Sequence, residues 1–201
     1  MEELIQYLKS SGLLQDEEIE EAFLKVDRAD FVPEHIRHLA YSDQALPIGE
    51  GQTISQPTVV AFMLEQLKPR PGDKILDVGA GSGWQTALLA EIVGRKGKVF
   101  AVELIPRLCQ QIQENIAKYR FKNIKFFCQN ARVGLPEHAP FDGIIAGATA
   151  EGIPPAWKEQ LKVGGHIVAP VGTSVFCYLK KNGNKFTIEE YPGFLFVPLV
   201  D

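Results

Sequence analysis

Three glycines alternating with single residues, Gly79, Gly81 and Gly83, lie in the stretch ILDVGAGSGWQTALLA, with Asp77 just before them and Glu103 closing the next apolar run, KVFAVE. Glycines in such a loop allow a tight turn and let backbone N–H groups approach a ligand closely. A carboxylate at the end of the second strand can accept two hydrogen bonds from a ribose diol, as in dinucleotide sites. The pattern therefore points to a cofactor that carries adenosine. Trp84 stands where a dinucleotide fingerprint wants its third glycine, which weakens a pyrophosphate cradle, and no Lys-Ser/Thr pair follows the loop, so it is not a P-loop. Asp77 is poorly suited to phosphates and well suited to a cationic amino-acid tail. Together these features favour S-adenosylmethionine, which has an ammonium, a sulfonium and a ribose but no phosphate. The glycines alone are equally compatible with a plain strand-to-helix turn; Asp77 and Glu103 in register weigh against that reading.

A second polar segment, GQTISQP at 51–57, crowds Thr53, Ser55 and two amides between Gly51 and Pro57 and fits neither a helix nor a strand pattern. Ser55 has two readings. It could orient an acceptor group, or it could cap a helix starting near Pro57, a role worth roughly 1 kcal/mol. Residue chemistry alone favours capping. Asp43 could gate a substrate or make an Asx-turn, with the turn favoured, and Arg132 could reach a ligand or form a surface ion pair. His35, His38, His138 and His166 lack metal-ligand spacing, so no metal site is expected. Cys109, Cys128 and Cys177 are far apart and odd in number, and read as reduced packing residues.

These groups must be held by elements that the patterning locates. Residues 2–9 suggest a short helix, and QDEEIEEAFLKV a stronger one capped by Asp16, with Ile19, Ala22, Phe23 and Val26 at helical spacing. RADFVP ends it, since Pro33 disfavours helical backbone at the residue before it. Residues 34–56 read as a long irregular loop, and a loop of that length is usually functional or mobile. TVVAFMLEQL is a helix with Pro57 in its first turn. Then KILDVG, KVFAVE, IKFFCQN, PFDGIIAGA and GGHIVAPVG read as strands, separated by the helices WQTALLAEIVG, PRLCQQIQENIAKY and PPAWKEQL. VFCYLKK and KFTIEEY form a hairpin on an Asn182-Gly183 turn. Alternating strands and helices give an α/β fold with a doubly wound, mostly parallel sheet, a C-terminal antiparallel hairpin and an N-terminal helical cap. The expected organisation is one domain over 1–201, with the cap and a lid segment at 1–56 and a Rossmann-like core at 57–201.

Composition bounds the function. The 201 residues are 45% hydrophobic and 23% charged, with a net charge of -4, values ordinary for a folded globular chain. No basic cluster exceeds the pair at 180–181, which argues against a nucleic-acid partner. The N-terminus lacks a signal peptide's basic region and apolar core, and no run approaches the roughly 18 apolar residues of a membrane span. A cytoplasmic monomer is expected.

Beyond these readings, LDVGAGSG with VE after the second strand resembles the class I methyltransferase core, over about residues 72–172. The flanking stretches VDRADFVP, AYSDQALPIGEGQTISQP, PFDGII, EQLKVGGHIVAPVG and FVPL resemble the protein-L-isoaspartate (D-aspartate) O-methyltransferase family, from Val26 to Leu199. That resemblance implies an enzyme that methylates isoaspartyl carboxylates, and D-aspartyl ones by extension, in damaged proteins and peptides. The ester would then collapse to a succinimide and reopen partly as aspartate. It also implies that Thr53, Ile54 and Ser55 lie over the donor with Ser55 central, and that Asp77, Gly79, Gly81 and Gly83 flank its methionine side. Glu103 would hold the ribose, with Asn130 and Ala131 near the adenine. Two departures from the family's pattern stand out: Asn130-Ala131 replaces an Asp-Gly pair, and Val200 replaces a threonine. They leave room for a methyltransferase dedicated to one peptide carboxylate; a separate alternative is a cofactor-binding module without turnover. A nicotinamide oxidoreductase is disfavoured by Trp84 and by the lack of a second domain.

Overall fold

The computed structural model describes residues 1–183 and 185–200. Helices α1 (Glu2–Ser10) and α2 (Glu17–Lys25) precede two short 3-10 segments, Arg28–Phe31 and Glu34–Leu39. A small two-stranded sheet, β1 (Leu46–Gly49) and β2 (Gln52–Ile54), leads into α3 (Pro57–Leu67). The core follows as β3 (Lys74–Val78), α4 (Trp84–Val93), β4 (Lys98–Glu103), α5 (Pro106–Ile116) and β5 (Ile124–Cys128). It continues as β6 (Phe141–Ala146), α6 (Pro155–Gln160), β7 (Leu161–Val171), β8 (Ser174–Lys180) and β9 (Phe186–Pro192).

The main sheet has the order β5-β4-β3-β6-β7-β8-β9. β3 to β7 run parallel and the β7-β8-β9 edge is antiparallel. The chain winds outward from β3 through β4 to β5, then returns to β6 on the other side of β3. This reversal opens a crevice at the C-terminal ends of the strands, where ligands bind in such sheets. Strand alternation sorts the core into two layers. Ile75, Val99 and Ala101 pack with α1 to α5, whereas Leu76, Val78, Phe100 and Val102 pack with Trp157 of α6. Helix α4 is apolar nearly all round because it lies between the sheet and the cap helix α2, and Phe23 meets Trp84 edge-on.

Three expectations need correction. Part of the segment read as irregular is the β1-β2 pair, in which Leu46 faces Ile54 and both are buried. Strands this short, joined through Gly49, Glu50 and Gly51 at positive φ, leave too little alternation to read. α5 stops at Ile116, short of the helical pattern, and the Tyr119 hydroxyl instead donates to Asp30 and accepts from the Asp27 N–H. Cys109 and Cys128 are not reduced packing residues: they form a disulfide with Cα atoms 5.8 Å apart, tying α5 to the end of β5. That pairing is a tertiary contact invisible to CxxC spacing. Cys177 is free and buried.

Candidate active site

The glycine loop links β3 to α4. Gly79, Gly81 and Gly83 all have positive φ, the conformation that glycine adopts without strain. Their surroundings differ. Gly79 and Gly81 line a crevice of about 500 Å³, partly open to solvent, together with Thr53, Glu103, Gln129 and Ala131. Gly83 lies outside that lining. It caps α4, and a Cβ there would fall 2.5 Å from Ile112 of α5, so packing demands this glycine.

Glu103 is 8% exposed at the end of β4, and its carboxylate is fixed from several sides. One oxygen accepts from the backbone N–H of Leu104 (2.8 Å) and of Ile105 (3.0 Å), and the other from that of Gly81 (2.9 Å). A carboxylate has roughly four lone-pair sites, so acceptor capacity remains toward the crevice. Asp77 is fully buried beneath the loop and does not line the crevice. It accepts from Gln85 (2.8 Å) and Thr86 (2.5 Å) of α4. Burial pushes its carboxyl up to about 6 despite these two donors, and the charge of Glu103 adds to the rise.

Thr53, Ile54 and Ser55 face Gly79 to Ser82 across a smaller recess of about 350 Å³. A larger groove of about 1040 Å³, open to solvent, is lined by Thr53, Ser55, Thr58, Gly147, Phe194 and Leu195 among others. The crevice and the groove share Thr53, Gly147 and Val197, so an acceptor in one can meet a donor in the other. Ser55 does not cap α3. The cap position is Gln56, without a side-chain capping bond. Asp43 instead accepts from the Thr58 N–H (2.9 Å) and hydroxyl (2.6 Å) and from the Gln56 amide (3.0 Å). This role for Asp43 replaces the expected Asx-turn, and it leaves the Ser55 hydroxyl unengaged among the described residues.

On the far side of the crevice Ala131 is in the lining and Asn130 is not; the Asn130 side chain accepts from the Arg132 N–H (2.8 Å). Val200 completes the wall beside Leu199. Sequence reasoning missed Gln129 and Gly147, although both directly follow strands whose C-terminal ends form the crevice, a position that could have flagged them. Among the described residues, the crevice lining contains no lysine or arginine. A pinned carboxylate, backbone donors and apolar walls suit a sugar and an adenine ring, and the missing cations disfavour phosphates. The residues present thus fit S-adenosylmethionine.

Strands that wind outward from β3 and resume on its other side, with a phosphate-averse crevice at the crossing point, follow the plan of Rossmann-like class I methyltransferases. The model of the protein-L-isoaspartate(D-aspartate) O-methyltransferase family matches residues 1–201, and the chain belongs to that family. It is 42% identical to the protein-L-isoaspartate O-methyltransferase of Ignicoccus hospitalis, covering 99% of this chain and 96% of that protein. It is also 42% identical to the enzyme of the same name from Methanopyrus kandleri, covering 99% and 90% respectively. A solved beta-aspartate methyltransferase of Plasmodium falciparum, in complex with S-adenosyl-L-homocysteine, aligns with a TM-score of 0.89 at 26% identity, over 98% of this chain and 97% of that one.

Proposed function

We infer that this chain transfers the methyl group of S-adenosylmethionine to the free carboxylate of L-isoaspartyl residues, and of D-aspartyl residues, in damaged proteins and peptides. Family membership over residues 1–201 carries this reading, and the junction of crevice and groove at Thr53 and Gly147 supplies a matching geometry. When bound, the donor supplies an electrophilic methyl on a positive sulfur, displaced in line by the acceptor oxygen. A carboxylate with a pKa of roughly 4 is already ionised at neutral pH, so no general base is needed, and no carboxylate, imidazole or amine side chain lines the groove among the described residues. The chain's task is orientation, for which well-placed reactants set a ceiling of roughly 7–11 kcal/mol.

In this reading Glu103 holds the ribose hydroxyls, and Gly79 and Gly81 bring backbone close to the methionine portion. Ala131 packs at the adenine. Asp77 acts from beneath, holding α4 to the loop and contributing negative charge toward the cationic tail. Thr53, Ile54 and Ser55 cover the donor, and the free Ser55 hydroxyl donates to the acceptor carboxylate. Residues 1–56 act as cap and lid on one methyltransferase domain. We further propose that the chain works as a monomer in the cytoplasm. The test is methyl transfer to matched isoaspartyl and aspartyl peptides from labelled donor. Transfer to the isoaspartyl peptide alone is expected. Equal labelling of both, or no labelling by protein that still binds S-adenosylhomocysteine, would refute it.

A further inference from the structure

We propose that Arg28 is a positioning residue for the acceptor side of the site: it sets where Ser55 stands, and thereby the affinity for the acceptor carboxylate, while the ribose and methionine portion of the donor are held by Glu103 and the glycine loop. The inference rests on the function proposed above. Arg28 opens the first 3-10 turn and has no exposed surface. One guanidinium nitrogen donates to the carbonyls of Ala40 (2.7 Å) and Ser42 (3.3 Å), and the other to those of Gln44 (2.9 Å) and Ser55 (3.0 Å). Its Nε finds no partner among the described residues. The guanidinium also lies 5.3 Å from the ring centre of Trp84, the first residue after the glycine loop.

A cation in this setting does not explain itself by stability. Every acceptor it meets is a neutral carbonyl, and Asp43 supports its charge only through space, while burial pulls its pKa down to about 10. Desolvating a charge is costly, and apolar residues of similar volume often serve a fold as well or better. What only a planar, multi-donor group can do is bind two backbone segments at once in fixed relation. Here one segment is the turn at 40–44, which carries the Asp43 cap of α3. The other is the end of β2, where the Ser55 carbonyl is tied down while its side chain lines the groove. The same bond puts positive charge beneath the residue proposed to receive an anion. The donor-side groups are fixed independently, by the β3 and β4 ladders and by Glu103.

Arg28→Lys and Arg28→Met test this with three measurements: KM and kcat for an isoaspartyl peptide, affinity for S-adenosylhomocysteine, and hydrogen exchange with that ligand bound. In Arg28→Lys, KM should rise by about tenfold or more, while donor-side affinity and kcat stay within about threefold. Exchange should quicken over 40–56 and remain unchanged over 74–93. Arg28→Met should exaggerate both changes. Unchanged exchange over 40–56 in a folded variant overturns the proposal, as does an equal loss of peptide and S-adenosylhomocysteine affinity, or failure of both variants to fold. Should the wild-type protein not methylate the isoaspartyl peptide, the functional reading falls, and the exchange comparison still decides the role of Arg28.

Discussion

The two sides of the site are built differently. On the donor side, the groups sit at the ends of β3 and β4, in a five-residue register of parallel pairing, and Glu103 is fixed by N–H groups within or next to its own strand and loop. On the acceptor side, the backbone at 40–56 is mostly turns and one short strand pair, held by an arginine from outside the segment and by the side chain of Asp43 within it. Arg28 reaches it from the first 3-10 turn, and Asp43 spans to the start of α3. Regular pairing fixes atoms through local rules, whereas irregular backbone needs long-range side-chain ties. Donor binding and acceptor binding should therefore respond to separate sets of residues.

The largest separation is expected at Glu103. Glu103→Gln keeps one carbonyl oxygen against three backbone donors, and losing about two charge-assisted bonds amounts to roughly 3 kcal/mol. Affinity for S-adenosylhomocysteine, measured by calorimetry, should fall by about 100-fold with little change in peptide KM. A change confined to peptide KM would erase the distinction between the two sides.

Next comes the buried carboxyl beneath the loop. The pKa of Asp77 is raised from 3.8 to about 6 in the fold. The native state therefore holds this proton more tightly than the unfolded chain, and the group's contribution to stability is full below pH 4. As pH rises through 6 that contribution is lost, up to about 3 kcal/mol. Urea midpoints followed from pH 4 to pH 7 should decline more steeply in the wild type than in Asp77→Asn. Parallel profiles would show that Asp77 titrates normally.

The smallest effects sharpen the acceptor side. Asp43→Ala removes the cap of α3 and should cost roughly 1 kcal/mol, lowering the melting temperature by a few degrees. Ser55→Ala should leave the melting temperature within about a degree yet lower kcat/KM for the isoaspartyl peptide about tenfold, the equivalent of one hydrogen bond. A Ser55→Ala protein that is clearly less stable and turns over normally would return Ser55 to a structural role.

The same contrast explains what was legible in the sequence. β3 to β7 and their helices announce themselves by apolar runs and punctuating glycines and prolines, so the sheet and the glycine loop were readable. Glu103 was readable because its place follows from strand and loop alone. Gly83 and Asn130 sit in the expected motifs, and what the motifs do not show is that Gly83 packs against α5 and that the Asn130 side chain accepts from the Arg132 N–H. The Cys109–Cys128 bond, the Asp43 cap and the Arg28 hub join residues distant in the chain, and no spacing rule reports such pairings.

At one edge of the main sheet, β9 presents the consecutive exposed residues Thr187, Ile188, Glu189 and Glu190, and it ends on Pro192. Charged side chains and proline discourage an extended chain from adding itself as another strand. For a protein proposed to work among damaged, loosened polypeptides, an edge of this make-up would discourage the backbone of its clients from pairing with it. They are left to engage by the aspartyl derivative they carry rather than by indiscriminate strand-to-strand adhesion.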